Sequence, residues 1–271
     1  MPVEPTIAQA AALGVLQGLA EFLPISSSAH LSLAPWAFGW AEPGLAFDVA
    51  LHVGTLVAVL WYFRREWVAL TRGALQSVRS GGVRGEAGRR VALLVVATIP
   101  GAGIGYALQE QAETVFRTPT LTAAALIVMG AILWVVDARA ATARRLDQLT
   151  WRDAVLIGLA QACAIIPGVS RSGGTMTAAR ALGYDRADAA TFSFLMSMPI
   201  IAAAAVLKAP EALRAEHLAP VLVGMTTAAL SGWAAIAGLL AFVRRRGFGA
   251  FAVYRFALGA AVLWLVAHRA G

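Results

Sequence analysis

Charge is what this sequence has little of. Of its 271 residues only 14% are charged while 59% are hydrophobic, and the mean hydropathy is +0.71. Soluble domains carry about a quarter charged residues, so that class is excluded and a polytopic membrane protein is expected. A spanning helix needs ~20 residues, which leaves room for six or seven spans and some shorter pieces. There is one cysteine, Cys163, which excludes an internal disulfide and any cysteine-built metal cluster. The first twenty residues lack a cationic start and a small-residue cleavage pattern, so no removable signal peptide is expected. The net charge is +7, but the arginines fall between apolar runs. That is the distribution of cytoplasmic loops, not of a basic groove, and no nucleic-acid partner is expected.

The apolar runs are interrupted in an ordered way. A helix from about Pro5 to Leu23 should stop at Pro24, because the residue before a proline is pushed out of helical geometry. Ser26 to Ser28 then look like caps for a short second helix running towards Trp36. Neither piece is comfortably long enough to span, and the break is polar, so a re-entrant hairpin fits better than a crossing. Spans follow at 44–63, 91–108 and 118–136, the second carrying Pro100 and three glycines that should bend it. The segment 65–90, with Arg72, Arg79, Arg84 and Arg89 around a glycine-rich centre, reads as a loop. A short acidic loop with Glu110 and Glu113 joins the second and third spans. The order then repeats: a short helix over 153–166 broken at Pro167-Gly168, a return limb over 170–182, and spans at 187–207, 218–243 and 251–267.

The positive-inside rule puts loops 64–90, 138–152 and 244–247 in the cytoplasm, and 109–117 and 208–217 outside. Three spans per half is an odd number, so the second half must be inverted. The expected fold is therefore an all-α polytopic membrane protein, a single integral membrane domain over 1–271. It consists of two inverted-topology repeats, about 1–137 and about 151–267, each a re-entrant helix hairpin plus three transmembrane helices. Both hairpin tips should meet at mid-depth, with both chain termini on the outer side. Such folds place their site at the repeat interface, where the broken helices meet.

Both breaks carry chemistry. The first reads Gln17-Gly-Leu-Ala-Glu21-Phe-Leu-Pro24-Ile-Ser26-Ser27-Ser28-Ala-His30, and the second Gln161-Ala-Cys-Ala-Ile-Ile-Pro167-Gly-Val-Ser170-Arg171-Ser172-Gly173-Gly174-Thr175. Gln17 to Ser26 and Gln161 to Ser170 are the same distance apart, and Ser28 matches Ser172. Buried polar groups are costly unless something engages them, which makes these two stretches halves of one candidate site. Gln17 and Glu21 share a helix face. Glu21 also lies near a helix C-terminus, whose negative end opposes an ionised carboxylate. A metal ion, an arginine or a proton must offset it. Arg171, beside free backbone N–H groups and the Ser170, Ser172 and Thr175 hydroxyls, makes an anion site suited to phosphate. Gly173 and Gly174 let the backbone approach closely. No lysine follows these glycines and no strand precedes them, so this is not a Walker motif. His30 should share a helical turn with Ser27, a nucleophile–base pattern that is a weak signal alone. Asp48, His52 and Thr55 form one stripe of the first span, Ser193 and Ser197 a similar stripe in the second half. These stripes either support the site or bond helix to helix. Cys163 reads as a small packed residue. Tyr254-Arg255 reads as an interface anchor or a site contact.

These two stretches closely resemble the signature motifs of bacterial undecaprenyl-diphosphate phosphatases, the bacitracin-resistance protein family. Phe47-Asp-Val-Ala-Leu-His-Val-Gly-Thr55, Phe192-Ser-Phe-Leu195 and Tyr254-Arg255 extend the resemblance over nearly the whole chain. It implies a multi-pass enzyme of the bacterial plasma membrane, with its active site opening to the extracytoplasmic side. It further implies removal of the terminal phosphate of undecaprenyl diphosphate, a polyprenyl diphosphate lipid, to recycle the carrier for peptidoglycan synthesis. A divalent cation, Mg²⁺ or Ca²⁺, is implied as cofactor. Glu21, Ser27, His30 and Arg171 become the catalytic set. Gln17, Ser26, Ser28, Ser170, Ser172, Gly173, Gly174 and Thr175 become substrate contacts, and Glu21 with Gln17 the metal ligands. Many family members carry glutamate where this chain has Gln17, and a glutamine ligates without supplying charge. Either Ser27 or His30 attacks phosphorus while the other assists proton transfer. Membrane lipids are the remaining expected partners, and a homodimer is open to the sequence, which does not fix subunit number.

A function of another class, a lipid-carrier flippase or transporter, suits inverted repeats with broken helices equally well as architecture. What separates the two readings is the concentration of nucleophile, base and arginine in the breaks, which transport alone does not require.

Overall fold

The structure is a computed structural model describing residues 5–108, 111, 115–142, 144–212 and 218–269. Among these residues the chain forms eleven α-helices and no strand. The chain opens with α1 (Ile7–Phe22) and α2 (Ser27–Phe38), the limbs of the first hairpin, followed by α3 (Leu45–Tyr62), α4 (Arg64–Arg79), α5 (Gly85–Ala107) and α6 (Pro119–Arg139). The second hairpin is α7 (Trp151–Ala162), a short 3₁₀ turn (Cys163–Ile165) and α8 (Arg171–Ala181), leading into α9 (Arg186–Ala212), α10 (Leu218–Val243) and α11 (Gly249–Arg269).

Five helices, α5, α6, α9, α10 and α11, are long and apolar enough to cross a membrane. Helices α3 and α4 meet that test only when taken together, as a pair bent by 86° that is either a broken span or a re-entrant loop. The segment 65–90 is therefore not the irregular loop expected. Two helical stretches, α4 and the first turn of α5, are joined by a tight turn around Gly81 and Gly85, both at positive φ. The physical reason is amphipathicity. Leu70 and Gly73 of α4 are buried against the bundle, while Arg65, Arg72 and Arg79 recur every seven residues on the exposed side. Pro100 sits inside α5, which continues through it. The acidic loop with Glu110 and Glu113, and positions 213–217 of the expected 208–217 loop, lie outside the described residues.

Each hairpin is held by a long helix from the opposite half of the chain. Helix α1 packs on α10, and α7 packs on α5. Small residues make both contacts possible. A Cβ on Gly14 would stand 2.3 Å from the Gly224 carbonyl oxygen, and one on Gly18 would stand 2.5 Å from that of Ala228. A Cβ on Gly158 would stand 2.4 Å from the Ala97 carbonyl oxygen. This is the small-xxx-small packing by which apolar helices approach closely where lipid gives no hydrophobic drive. Between the hairpins and spans runs a core of buried Phe22, Phe194, Met176, Ile236 and Leu239.

At the base of the second hairpin, the Asp153 carboxylate accepts from Arg144 at 2.6 Å, Tyr184 at 2.7 Å and Thr150 at 2.7 Å. Burial, with this carboxylate beside it, pushes the Tyr184 phenol up from its ordinary value. The cluster ties the start of α7 to the turn after α8, fixing both ends of the hairpin.

Candidate active site

The two breaks share a serine-capped turn. Ser26 and Ser170 cap the second limb of their hairpins, and they are the two non-glycine residues at positive φ among the described residues, at 76° and 72°. Such conformations cost about 1–3 kcal/mol each and persist where surroundings over-determine them. Here the reason for serine over glycine is the side chain. Ser26 Oγ accepts from the Ala29 N–H at 3.4 Å, and Ser170 Oγ from the Gly173 N–H at 3.0 Å. In each break the capping serine also lies 3.2 Å from the serine two residues on, Ser28 or Ser172.

The tips bond to one another. The Gly168 N–H donates to Ser26 Oγ at 3.1 Å, and Ser172 Oγ donates to the Leu23 carbonyl at 3.1 Å. Arg255, from α11, closes the junction. It is fully buried, and its guanidinium donates to the carbonyls of Pro24 (3.1 Å), Gly168 (2.6 Å), Val169 (3.2 Å) and Leu126 (3.1 Å). Pro24 lies just past the C-terminal end of α1, where the helix dipole is negative. Gly168 and Val169 lie in the turn that leads into α8, so the cation sits among carbonyls of both breaks. The Tyr254-Arg255 pair thus divides. Arg255 ties the two tips together, while Tyr254 OH lies 2.7 Å from His30 Nε2 with the rings stacked.

The reactive groups converge in front of this junction. Glu21 Oε1 accepts from Arg171 Nη2 at 2.5 Å, and Glu21 Oε2 from Ser27 Oγ at 2.5 Å and Gln17 Nε2 at 3.1 Å. No basic residue occupies the last turn of α1, so the cation facing Glu21 comes from the opposite hairpin. His52 Nε2 stands 3.6 Å from the same carboxylate. His52 Nδ1 is 2.7 Å from the Asp48 carbonyl, which can only accept, so Nδ1 carries the proton. Arg171 Nη1 donates to the Ser193 carbonyl at 2.9 Å, and Thr175 Oγ1 lies 2.7 Å from Ser193 Oγ. A guanidinium has five N–H donors, so these two bonds leave three for a ligand.

His30 stands apart. It is buried, and its Nδ1 donates to the Ser26 carbonyl at 2.7 Å while Nε2 meets Tyr254. Both ring nitrogens are engaged away from Ser27, so the helical spacing that suggested a Ser27–His30 pair does not bring them into hydrogen bond. Of the two stripes, Asp48 and His52 line the site, and Ser193 bonds Arg171 and Thr175. Thr55 and Ser197 donate to carbonyls of their own helices. Cys163 is exposed rather than packed.

A cavity of about 840 Å³ opens onto the site. Arg171, Ser28 and His52 line it, with Arg117, Glu42 and Asp48 among its other polar lining. The rest of the lining is mostly apolar, with Gly101, Ala102, Gly105, Ala203 and Ala204 beside Leu31, Tyr106, Ile165 and Ile200. A lipid with a charged head and an apolar tail matches that division.

For a divalent cation the donor set is lean. Among the described residues no three His, Cys, Asp or Glu side chains cluster as metal ligands. Yet Gln17 Oε1 is buried without a hydrogen-bond partner, beside the Glu21 carboxylate and the Ser27 hydroxyl. One carboxylate and two neutral oxygens suit Mg²⁺, which is usually held by one or two carboxylates and completed by substrate phosphates and water.

A family model described as bacitracin resistance protein BacA matches residues 10–261. The undecaprenyl-diphosphatase of Gemmatimonas aurantiaca is 54% identical over 266 residues, covering 97% of this chain and 99% of the relative. Those of Pelotomaculum thermopropionicum and Moorella thermoacetica are each 49% identical, covering 97% and 96% of this chain and 98% and 99% of the relatives.

Proposed function

This chain belongs to the bacitracin resistance protein BacA family, and from that premise we infer that it is an undecaprenyl-diphosphatase. It is a membrane enzyme that hydrolyses undecaprenyl diphosphate to undecaprenyl phosphate and phosphate. Its relatives' names favour that reading over a flippase. The observation that carries the proposal is the meeting of Ser27, Glu21 and Arg171 at the junction of two hairpin tips.

Arg171 grips the terminal phosphate with its spare donors, supported by the first turn of α8. A fork of N–H groups fits phosphate oxygens in pairs, and it acts where charge grows in the transition state. Ser27 Oγ attacks the terminal phosphorus. Its proton passes to Glu21 Oε2, already its hydrogen-bond acceptor, while the bond from phosphorus to the bridging oxygen breaks and undecaprenyl phosphate leaves. Water then attacks the phosphoserine, its oxygen replacing Ser27 Oγ on phosphorus. The proton held by Glu21 returns to Ser27 and phosphate departs. Ser27 is favoured over His30 as nucleophile because both ring nitrogens of His30 are already engaged. His52, close to Glu21, is positioned to help hold the carboxylate in line.

Glu21, Gln17 Oε1 and Ser27 would hold the cation, which supplies positive charge against the phosphate oxygens. The isoprenoid tail lies along the apolar lining. We place the enzyme in the bacterial plasma membrane with the cavity facing outward, on the arginine distribution of the loops, where it recycles the carrier for peptidoglycan and confers bacitracin resistance. The test is phosphate release from undecaprenyl diphosphate by detergent-solubilised protein. Wild type releases phosphate, whereas Ser27→Ala and Glu21→Gln do not. Full turnover by both variants would refute the assignment.

A further inference from the structure

A second cavity, of about 570 Å³, lies at the opposite end of the bundle, where α6 ends, α9 begins and α10 turns into α11. Its lining includes Trp134, Asp137, Arg186, Phe242, Arg246 and Gly249. The sequence marks this end as the arginine-rich one, with Arg244, Arg245 and Arg246 in the turn between α10 and α11.

Asp137 is the only acidic residue in this lining and is already fully engaged. Its Oδ1 accepts from Arg180 Nε at 2.9 Å and Arg186 Nε at 2.8 Å, and its Oδ2 from the Phe248 N–H at 2.9 Å. One carboxylate therefore faces two guanidiniums before Arg246 is counted. Arg186 uses Nε for Asp137, which leaves its Nη groups beside Gly247; a Cβ there would lie 3.3 Å from Arg186 Nη2. Arg246 is exposed and forms no ion pair among the described residues. Arg186 and Arg246 thus bring surplus positive charge to a single concavity. Trp134, 47% exposed, and Phe242 form an apolar flank, and aromatic residues of this kind sit at headgroup depth in bilayers.

We propose that this cavity binds a phosphate-bearing anion through Arg186 and Arg246, and that the phosphate is the headgroup of an anionic phospholipid whose acyl chains leave along Trp134 and Phe242. Basic pockets between spans at a membrane face suit such headgroups. Forked guanidinium–phosphate bonds supply the affinity, and the aromatic flank favours a lipid over free phosphate. The site is remote in chemistry from the Ser27–Glu21–Arg171 centre and does not depend on the reaction assigned there.

The test is native mass spectrometry of the full-length protein released from detergent, titrated with phosphatidylglycerol, with phosphatidylcholine or with inorganic phosphate. Wild type retains phosphatidylglycerol in preference to phosphatidylcholine. Arg246→Gln, at an exposed position where folding is untouched, weakens that retention by about tenfold, the scale of one lost charge-assisted bond. Trp134→Leu weakens phosphatidylglycerol binding without affecting any binding of inorganic phosphate. Binding of inorganic phosphate as tight as that of phosphatidylglycerol, and equally sensitive to Arg246→Gln, would keep the anion site and overturn the lipid as its source. Equal retention of both lipids by wild type, or phosphatidylglycerol binding unchanged in Arg246→Gln, would overturn the site itself.

Discussion

The two hairpins share a serine-capped turn and differ in chemistry. Both turn through a serine at positive φ and cap the second limb with that serine's hydroxyl, although α1 runs on to Phe22 whereas α7 ends at Ala162 and gives way to a 3₁₀ turn. At corresponding positions after the cap, the first hairpin carries Ser27 and the second Arg171. Glu21 in the first limb has Ile165 as its counterpart, four residues after Gln17 and Gln161 respectively. One hairpin therefore supplies a hydroxyl bonded to a carboxylate, and the other a guanidinium. Two similarly capped turns that carry different side chains at these two positions thus make complementary halves of a candidate site. Neither half suffices alone: Glu21 sits at the unfavourable end of its own helix and takes its compensating cation from across the junction.

The sharpest way to break this division of labour is to remove the chemistry from the first hairpin. Ser27→Ala and Glu21→Gln should each lower turnover by about a thousandfold or more, the scale of losing a nucleophile or its base. Ser27→Ala should leave the melting temperature within a few degrees of wild type, whereas Glu21→Gln weakens the buried pair with Arg171 across the junction and should lower it further. Turnover assays paired with thermal unfolding in detergent check both halves of the statement.

Next comes the grip of the second hairpin. Arg171→Lys keeps the charge but loses the paired N–H geometry, and it should cost about a hundredfold in kcat/KM, nearly as much as Arg171→Ala. Steady-state kinetics showing near-normal kcat/KM for the lysine variant would remove the forked contact from the account.

The junction itself is tested through Arg255. Arg255→Met leaves the carbonyls of Pro24, Gly168 and Val169 buried without donors, so it should destabilise by about 3 kcal/mol or more. Both tips loosen together, visible as faster hydrogen exchange at 23–28 and 167–172. Smaller still is the contrast between the two capping serines. Ser170→Gly relieves strain and loses a cap, effects of opposite sign that should leave stability within about 1 kcal/mol. Ser26→Gly also orphans the Gly168 N–H and should cost about 1–2 kcal/mol more. Equal melting temperatures for the pair would mean that the cross-tip bond contributes nothing.

Much of the site was legible because its parts are local. A proline-marked break, a serine run and a shared spacing from Gln17 and Gln161 are properties of short segments, and they located both tips and their matching registers. The spacing also put Gln17 and Glu21 on one face, where they hydrogen-bond. What was not legible depends on residues far apart in the chain. Arg255 reaches Pro24 across 231 positions, and Tyr254 takes His30 out of partnership with Ser27 across 224. No periodicity encodes such pairings; they exist only once α11 has docked. Helix α4 was missed for a different reason. Its arginines and glycine read as loop, although Leu70 and Gly73 lie on one side of a helical wheel and Arg65, Arg72 and Arg79 on another.

The central claim is that the first hairpin reacts and the second binds. It is tested most directly by equilibrium binding of a prenyl diphosphonate, whose methylene bridge resists hydrolysis, to purified Ser27→Ala and Arg171→Ala proteins. The account predicts that Ser27→Ala binds the analogue within a few-fold of wild type, while Arg171→Ala binds it at least about tenfold more weakly, the scale of one charge-assisted phosphate contact. Wild-type affinity in Arg171→Ala, with binding lost in Ser27→Ala, would contradict it.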